Sequence, residues 1–186
     1  MTLLIIGLIM FACVHLIPSM APAIKARWRG RLGEGGYKGS FALLLLASFG
    51  LMISGWRSID PGLLYLPIEA LRLPALGLIV IGFILMVTAS RNSRLLQWVR
   101  HPQLTGVLLW ALAHLMLNGD DRSTLLFGCM AIWSVLEIFA INRRDGVWIK
   151  GSIPGISAEI VTLIIGVVIV AITMAIHPYI AGVKVI

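Results

Sequence analysis

Five ionisable side chains stand inside long apolar stretches of this 186-residue chain: His15, His101, His114, Glu137 and His177. Ionisable groups are costly in an apolar environment, so they mark candidate sites of proton transfer or metal binding, although a hydrogen-bonded structural role is common. A buried carboxyl group such as that of Glu137 must be protonated, paired or bound to a ligand. Arg143 or Arg144, shortly after it in the chain, is a candidate partner.

The densest polar motif lies between two of the apolar stretches. It reads RHPQLTG over residues 100–106, and Trp110 and His114 follow it. The proline of this motif is suited to the first turn of a helix, because the N–H group that it lacks would have no partner there. Arg100 and His101 would then lie at the mouth of that helix, where they could bind an anionic group or anchor the helix at a membrane surface.

Long apolar helices must position these groups. The chain is 59% hydrophobic and 12% charged, and its mean hydropathy of +0.98 excludes a water-soluble domain of this size. Runs of about 18 or more residues, enough to cross ~30 Å of hydrocarbon, recur without the alternation of barrel strands. We therefore predict an all-α integral membrane protein, a single domain over 1–186 with six transmembrane helices at about 1–24, 39–56, 73–90, 102–119, 123–142 and 160–183.

The basic residues predict the orientation of these helices. Most of the 15 Lys and Arg residues lie in the first, third and fifth predicted loops. Because cytoplasmic loops retain Lys and Arg, both termini should lie on the non-cytoplasmic side. The first loop is rich in glycine, could contact anionic headgroups, and contains Lys25, Arg27, Arg29, Arg31 and Lys38. The net charge of +7 thus reflects topology, and no loop is long enough to form a nucleic-acid-binding module.

A rise of 1.5 Å per residue sorts the ionisable groups by depth. Counted from the outer ends of the predicted helices, His15 and Glu137 lie at ~21 Å and His101 at ~27 Å. His114 and His177 lie at ~8 to 9 Å. The depths predict an inner cluster and an outer pair, while the order of the helices leaves open which side chains face each other.

The polar motif resembles that of the NnrU family of bacterial membrane proteins. The resemblance covers most of the chain and is carried by residues 100–106, Trp110, Ala113-His114, Asn118-Gly119, His15, the basic glycine-rich loop, Trp133-Ser134 and Arg143-Arg144. It implies a multi-pass protein of the bacterial inner (cytoplasmic) membrane that is linked to denitrification, that is, to nitrite and nitric oxide reduction. Besides the lipid bilayer, the candidate partners are a small hydrophobic substrate and a denitrification reductase.

The family is also similar to the 15-cis-ζ-carotene isomerases, integral membrane enzymes that carry haem b. That similarity implies haem b in this chain, an isomerase-like or redox-linked activity, and His15 and His114 as axial ligands of the haem iron. Arginines at the membrane interface could meet the haem propionates, and Arg100 is the candidate. Ala111 stands where the isomerases have a cysteine, three residues before the second ligand.

Two other functions stay open. An Arg-His-Pro segment, a glycine four residues later and a glutamate in the next helix also resemble the S-adenosylmethionine-dependent membrane methyltransferases that modify isoprenylcysteine or small thiols. The catalytic residues are unknown, and Arg100, His101 and Glu137 are the candidates; the Glu-Tyr pair common in those enzymes is absent from residues 142–145. The other alternative is a non-enzymatic subunit that assembles a reductase or carries electrons to it.

Overall fold

The computed structural model describes residues 1–91 and 93–182, without the side chain of residue 180. This part of the chain contains six α-helices and no strand beyond one isolated bridge between Leu63 and Asp120. The helices are α1 (Thr2–Met20), α2 (Pro22–Arg57), α3 (Arg72–Thr88), α4 (Pro102–Leu117), α5 (Asp121–Asp145) and α6 (Ile156–Ala181). The all-α prediction is confirmed; the predicted end of the last helix, at residue 183, lies outside the described residues.

Most of these helices are long and apolar enough to cross a membrane. Five of them meet both conditions: α1, α2, α3 together with the short 3-10 turn before it (Glu69–Thr88), α5 and α6. Helix α4 is equally apolar but has 16 residues, just below the usual length of roughly 17 to 25 residues for a spanning helix. The chain is therefore a multi-pass membrane protein, while the number of crossings and the side on which the termini lie stay predictions.

The predicted first loop is wrong, because most of it is helical. Helix α2 begins at Pro22 rather than near residue 39, and it is interrupted at Gly33, whose φ of 70° and ψ of 176° lie outside the helical region. Glycine adopts this conformation without the steric cost of a Cβ atom. Ala, Lys and Arg are good helix formers, so the basic segment before Gly33 forms a helix, residues 22–32, which we call the basic arm.

The structure divides into two compact units, and the first comprises Met1–Leu66 and Asn118–Val147. In it α1 packs against α2 and α5. The first contact is close because glycines lie at it: a Cβ atom on Gly55 would collide with the backbone of Leu4, and one on Gly7 would lie 2.8 Å from the amide nitrogen of Met52. Small residues permit such close backbone approach between membrane helices.

The segment between α2 and α3 is tied to the start of α5 by backbone hydrogen bonds. The amide of Leu64 donates to the carbonyl of Gly119 at 2.7 Å, and the amide of Asp121 donates to the carbonyl of Gly62 at 2.9 Å. Asp120 caps α5, because its Oδ1 accepts a 2.9 Å hydrogen bond from the amide of Ser123. These contacts fix the entry of α5 relative to the end of α2 within the first unit.

The second unit comprises Pro67–Leu117 and Trp148–Ile186. Helix α3 packs against α4 and α6 in it. At the α3–α4 contact Gly82 faces Gly106: a Cβ atom on Gly82 would lie 2.8 Å from the carbonyl oxygen of Gly106, and one on Gly106 would collide with that of Gly82. These two glycines set the spacing of the helices that lead into and out of the polar motif.

Candidate histidine sites

In the first unit the imidazole of His15 lies among aromatic rings. Its centroid is 4.2 Å from that of Phe11, 5.1 Å from that of Trp133 and 5.8 Å from that of Phe41. Phe11 lies one helical turn earlier on α1, while Trp133 is on α5 and Phe41 is on α2. Three helices therefore enclose one histidine, and none of the three enclosing rings was predicted as a site residue.

The hydrogen bond of His15 determines which nitrogen of its ring carries the proton. Nδ1 lies 3.0 Å from the carbonyl oxygen of Phe11. A carbonyl oxygen only accepts, so Nδ1 carries the proton and the lone pair of the neutral ring lies on Nε2. The indole Nε1 of Trp133 is buried and has no hydrogen-bond acceptor within the described ranges 1–91 and 93–182. The neighbourhood of His15 thus contains a nitrogen lone pair and an unsatisfied N–H donor.

One turn further along both helices, Ser19 and Glu137 form a buried polar contact. The hydroxyl of Ser19 donates to Oε2 of Glu137 at 2.9 Å, and these residues are 6% and 7% exposed. The predicted inner cluster is confirmed in part, because His15 and Glu137 lie at the same helix pair. His101 lies in the second unit, so its place in that cluster stays a prediction.

The hydrogen-bond partner of Glu137 is not the arginine suggested by the sequence. The guanidinium of Arg144 donates to both carboxylate oxygens of Asp145 and, through Nη1, to the carbonyl oxygen of Pro18 at 3.0 Å. The residue four positions after Pro18 is Pro22, which has no N–H group to donate to that carbonyl. Arg144 therefore donates to a carbonyl that Pro22 leaves without a helical partner, and the hydroxyl of Ser19 binds the carboxyl group of Glu137.

The second unit contains the other histidine site. Nδ1 of His114 lies 2.8 Å from the carbonyl oxygen of Trp110, the same arrangement one turn back along the helix as in His15. The ring of His177, on α6, is stacked on that of His114 with a centroid distance of 6.5 Å and an interplanar angle of 29°. The predicted outer pair is thus confirmed as a direct neighbour pair.

The polar motif begins α4 as predicted. Pro102 is the first residue of the helix and is buried, and the amide of Thr105 donates to the carbonyl of His101 at 2.9 Å. Arg100 and His101 directly precede the helix, whereas His114 lies in its last turn. The assignment of Arg100 to haem propionates, and of Arg100, His101 and Glu137 to catalysis, stay predictions, as does the methyltransferase alternative.

Sequence reasoning missed Ser19 and Trp133, although a signal for both was present. Ser19 lies four residues after His15, and Trp133 lies four residues before Glu137. Residues four apart share one face of a helix, so each missed residue accompanies a predicted one. The described residues contain no group of three or more His, Cys, Asp and Glu side chains that could hold a metal ion by themselves.

Apolar helices of spanning length that bury polar contacts between them define the class of this chain, a multi-pass α-helical membrane protein. The comparison with protein families is more specific, because the family described as NnrU protein matches residues 3–185. The chain belongs to the NnrU family. No curated protein and no solved structure matches it.

Proposed function

We propose that this chain is a haem b-binding membrane protein with an isomerase-like or redox-linked activity that serves denitrification. The link to denitrification and the cofactor both come from the resemblances described above, and membership of the NnrU family is compatible with the link to denitrification. In this proposal the Nε2 atoms of His15 and of His114 are ligands of the haem iron.

The observation that supports the proposal is that these two imidazoles make the same hydrogen bond and so carry their protons on the same ring nitrogen. Each directs Nδ1 at the backbone carbonyl four residues earlier, at 3.0 Å in His15 and 2.8 Å in His114. The proton is therefore on Nδ1 and the lone pair on Nε2 in both rings. Histidines that bind a metal through one ring nitrogen usually donate the other N–H to a carbonyl or carboxylate in this way, which fixes the ring and raises its basicity.

The surroundings of His15 also fit an aromatic macrocycle. Phe11 and Trp133 are buried beside it, at 6% and 7% exposure, and their rings could pack against a porphyrin and exclude water. The free indole N–H of Trp133 could donate to a polar group that arrives with the cofactor. When bound, haem b would supply a redox-active iron whose potential and reactivity depend on its axial ligands and on the dryness of the site.

The absorption spectrum of the detergent-purified protein tests this proposal. The protein would be produced with a supply of haem precursor and then examined for a Soret band and by the pyridine haemochrome assay. We expect haem b in the unmodified chain and a loss of haem, or a change from low to high spin, in His15→Ala and in His114→Ala. A purified protein without a Soret band, or one that keeps it unchanged in both variants, refutes the haem assignment.

His101→Ala is the matched control, because His101 is a histidine at a helix start that is not proposed as an iron ligand. Its spectrum should equal that of the unmodified chain. The link to denitrification has a separate test, deletion of the gene in its native host followed by measurement of nitrite and nitric oxide during anoxic growth on nitrate. We expect one of the two to accumulate; unchanged levels of both would remove denitrification from the proposal and leave haem binding standing.

A further inference from the structure

The basic arm, residues 22–32, has its large apolar residues on one face. This feature plays no part in the histidine sites or in the haem proposal. Ile24, Trp28 and Leu32 are spaced four residues apart and so follow one face of this helical segment. Ile24 and Leu32 are exposed, at 48% and 52%. An exposed apolar stripe on a short helix next to membrane-spanning segments is typical of helices that lie in the membrane interface.

The cationic residues of the arm flank this stripe on both sides. Arg27 and Arg31 lie on one side of it, and Lys25 and Arg29 lie on the other, because each pair is also spaced four residues apart. The arm contains no acidic residue, and its remaining positions are proline, alanine and glycine. Long basic side chains beside an apolar stripe can extend towards lipid headgroups while their alkyl stems cover apolar surface.

The arm is held back against the rest of α2. The ring of Trp28 lies 5.1 Å from that of Tyr37 and 6.3 Å from that of Phe41. In a straight helix these residues would be separated by ~13 and ~20 Å along the axis, so the interruption at Gly33 must fold the arm back. An ion pair of 2.6 Å between Nε of Arg29 and Oε2 of Glu34 crosses the same interruption.

This arrangement leaves an uncompensated positive charge on the arm. Glu34 is shared between Arg29 and Lys38, whose Nζ lies 3.1 Å from Oε1. Within residues 1–91 and 93–182, no carboxylate forms an ion pair within 4.0 Å of the other three cations of the arm, Lys25, Arg27 and Arg31, although Glu34 interacts with Lys25 at longer range. A surface with three unpaired cations beside an apolar stripe complements an anionic, amphipathic surface.

We propose that the basic arm is an interfacial helix that binds the headgroups of anionic phospholipids at the membrane surface where α1 ends. The arm follows directly on α1 and precedes the apolar part of α2, so it lies at a membrane boundary by connectivity. The exposed apolar residues of the stripe, Ile24 and Leu32, enter the boundary between headgroups and acyl chains, and Lys25, Arg27 and Arg31 contact the phosphates. Each such cation contributes about 1 kcal/mol near an anionic surface, which is about a fivefold gain in affinity.

Lipid titration of the full-length protein in a zwitterionic or uncharged detergent tests this proposal. The apparent affinity for phosphatidylglycerol would be measured by native mass spectrometry, with phosphatidylcholine as the reference lipid. We expect the unmodified protein to prefer phosphatidylglycerol, and the variant Lys25→Gln/Arg27→Gln/Arg31→Gln to lose roughly 100-fold of that affinity. Raising the salt concentration to several hundred millimolar should reduce the difference, because it screens exposed charges.

A second triple variant, Arg57→Gln/Arg72→Gln/Lys150→Gln, is the matched control. It removes the same charge from exposed positions outside the arm, and it should keep the preference for phosphatidylglycerol. Far-UV circular dichroism shows whether each variant keeps its helices, and Ile24→Ser/Leu32→Ser probes the apolar stripe without changing the charge. The proposal is overturned if the arm variant binds phosphatidylglycerol as the unmodified protein does, or if the control variant loses as much affinity as the arm variant.

Discussion

The hydroxyl of Ser19 on α1 donates a 2.9 Å hydrogen bond to Oε2 of Glu137 on α5, and both residues are buried. The same hydroxyl oxygen lies 3.1 Å from the carbonyl oxygen of Leu16, so its single proton is shared between its own helix and the carboxyl group. A buried carboxyl group without a partner carries the full cost of its desolvation. The contact with Ser19 and the nearby charge of Arg144 together account for how a glutamate is tolerated at the packed face of α5.

Removing the hydroxyl should be costly for that reason. We expect Ser19→Ala to lower the free energy of unfolding by about 1 to 3 kcal/mol, seen as a lower thermal midpoint in detergent. Ser90→Ala is the control, because the hydroxyl of Ser90 is exposed and donates only to the carbonyl of Val87 one turn earlier; it should change the stability by less than about 0.5 kcal/mol. Equal effects of both substitutions would contradict the role assigned to Ser19.

The close approach of α3 and α4 predicts a strong effect at Gly106. A methyl group there would collide with the carbonyl of Gly82, so Gly106→Ala should force the helices apart and destabilise the second unit by about 1 to 3 kcal/mol. Gly77, which is in α3 like Gly82, has open space around it. Gly77→Ala should therefore be neutral or slightly stabilising. Thermal unfolding of the two variants side by side measures the difference, and a neutral Gly106→Ala would show that the contact is looser than described.

Arg122 binds backbone carbonyl groups at the end of α2. Its Nη1 donates to the carbonyls of Trp56 and Ile59, both at 3.1 Å, and its guanidinium lies 4.4 Å from the centroid of the Trp56 ring. The last carbonyls of a helix lack partners within the helix, and a lysine ammonium cannot reproduce the planar stacking of the guanidinium.

Arg122→Lys should therefore increase amide hydrogen exchange over residues 56–62, by severalfold, without removing the positive charge. Arg72→Lys is its control, since Arg72 is half exposed and lies 3.6 Å from a largely exposed Glu69. Hydrogen exchange followed by mass spectrometry resolves both segments. Protection of residues 56–62 that is unchanged in Arg122→Lys would argue that the charge alone is sufficient.

Glu159, on α6, binds the segment that precedes α4. Its carboxylate accepts hydrogen bonds from the hydroxyl of Ser93 and from the amide of Arg94, both at 2.8 Å. It thereby supports Ser93, whose side chain caps the short 3-10 turn Arg94–Gln97 by accepting from the amide of Leu95. Glu159→Ala should raise hydrogen exchange in this turn and lower the stability by about 1 to 3 kcal/mol. Glu69→Ala removes an exposed carboxylate and should cost less than about 1 kcal/mol; a larger effect of Glu69→Ala would contradict this assignment.

The sequence predicts depth along the membrane better than it predicts neighbours. The rise per residue is constant, so similar depths were predicted for His114 and His177 without showing whether they face each other, and the structure places their ring centroids 6.5 Å apart. Depth does not encode which face of a helix meets another, however. The partner of Glu137 was therefore missed, because Ser19 carries no charge and only its position one turn after His15 marks it.

The glycine-rich basic segment shows a different limit of prediction from sequence, namely the assignment of helix or loop from composition. Charge and glycine content indicated a loop before residue 39, but the four-residue spacing of Ile24, Trp28 and Leu32 indicates a helix, and the structure has one. Local composition and periodicity disagreed, and periodicity was correct. The close glycine contacts, such as Gly55 against Leu4, are likewise set by the packing of helices, which no spacing within a single helix encodes.

The interleaving of the two units in the chain imposes an order on biogenesis. Ser19 and Glu137 are separated by 118 positions, and the helices α3 and α4 of the other unit are synthesised between them. At typical translation rates, on the order of 6 to 24 s separate the synthesis of Ser19 on α1 from that of Glu137 on α5. During that interval the first unit exists only as a helical hairpin, so its assembly is completed after α3 and α4 have been made.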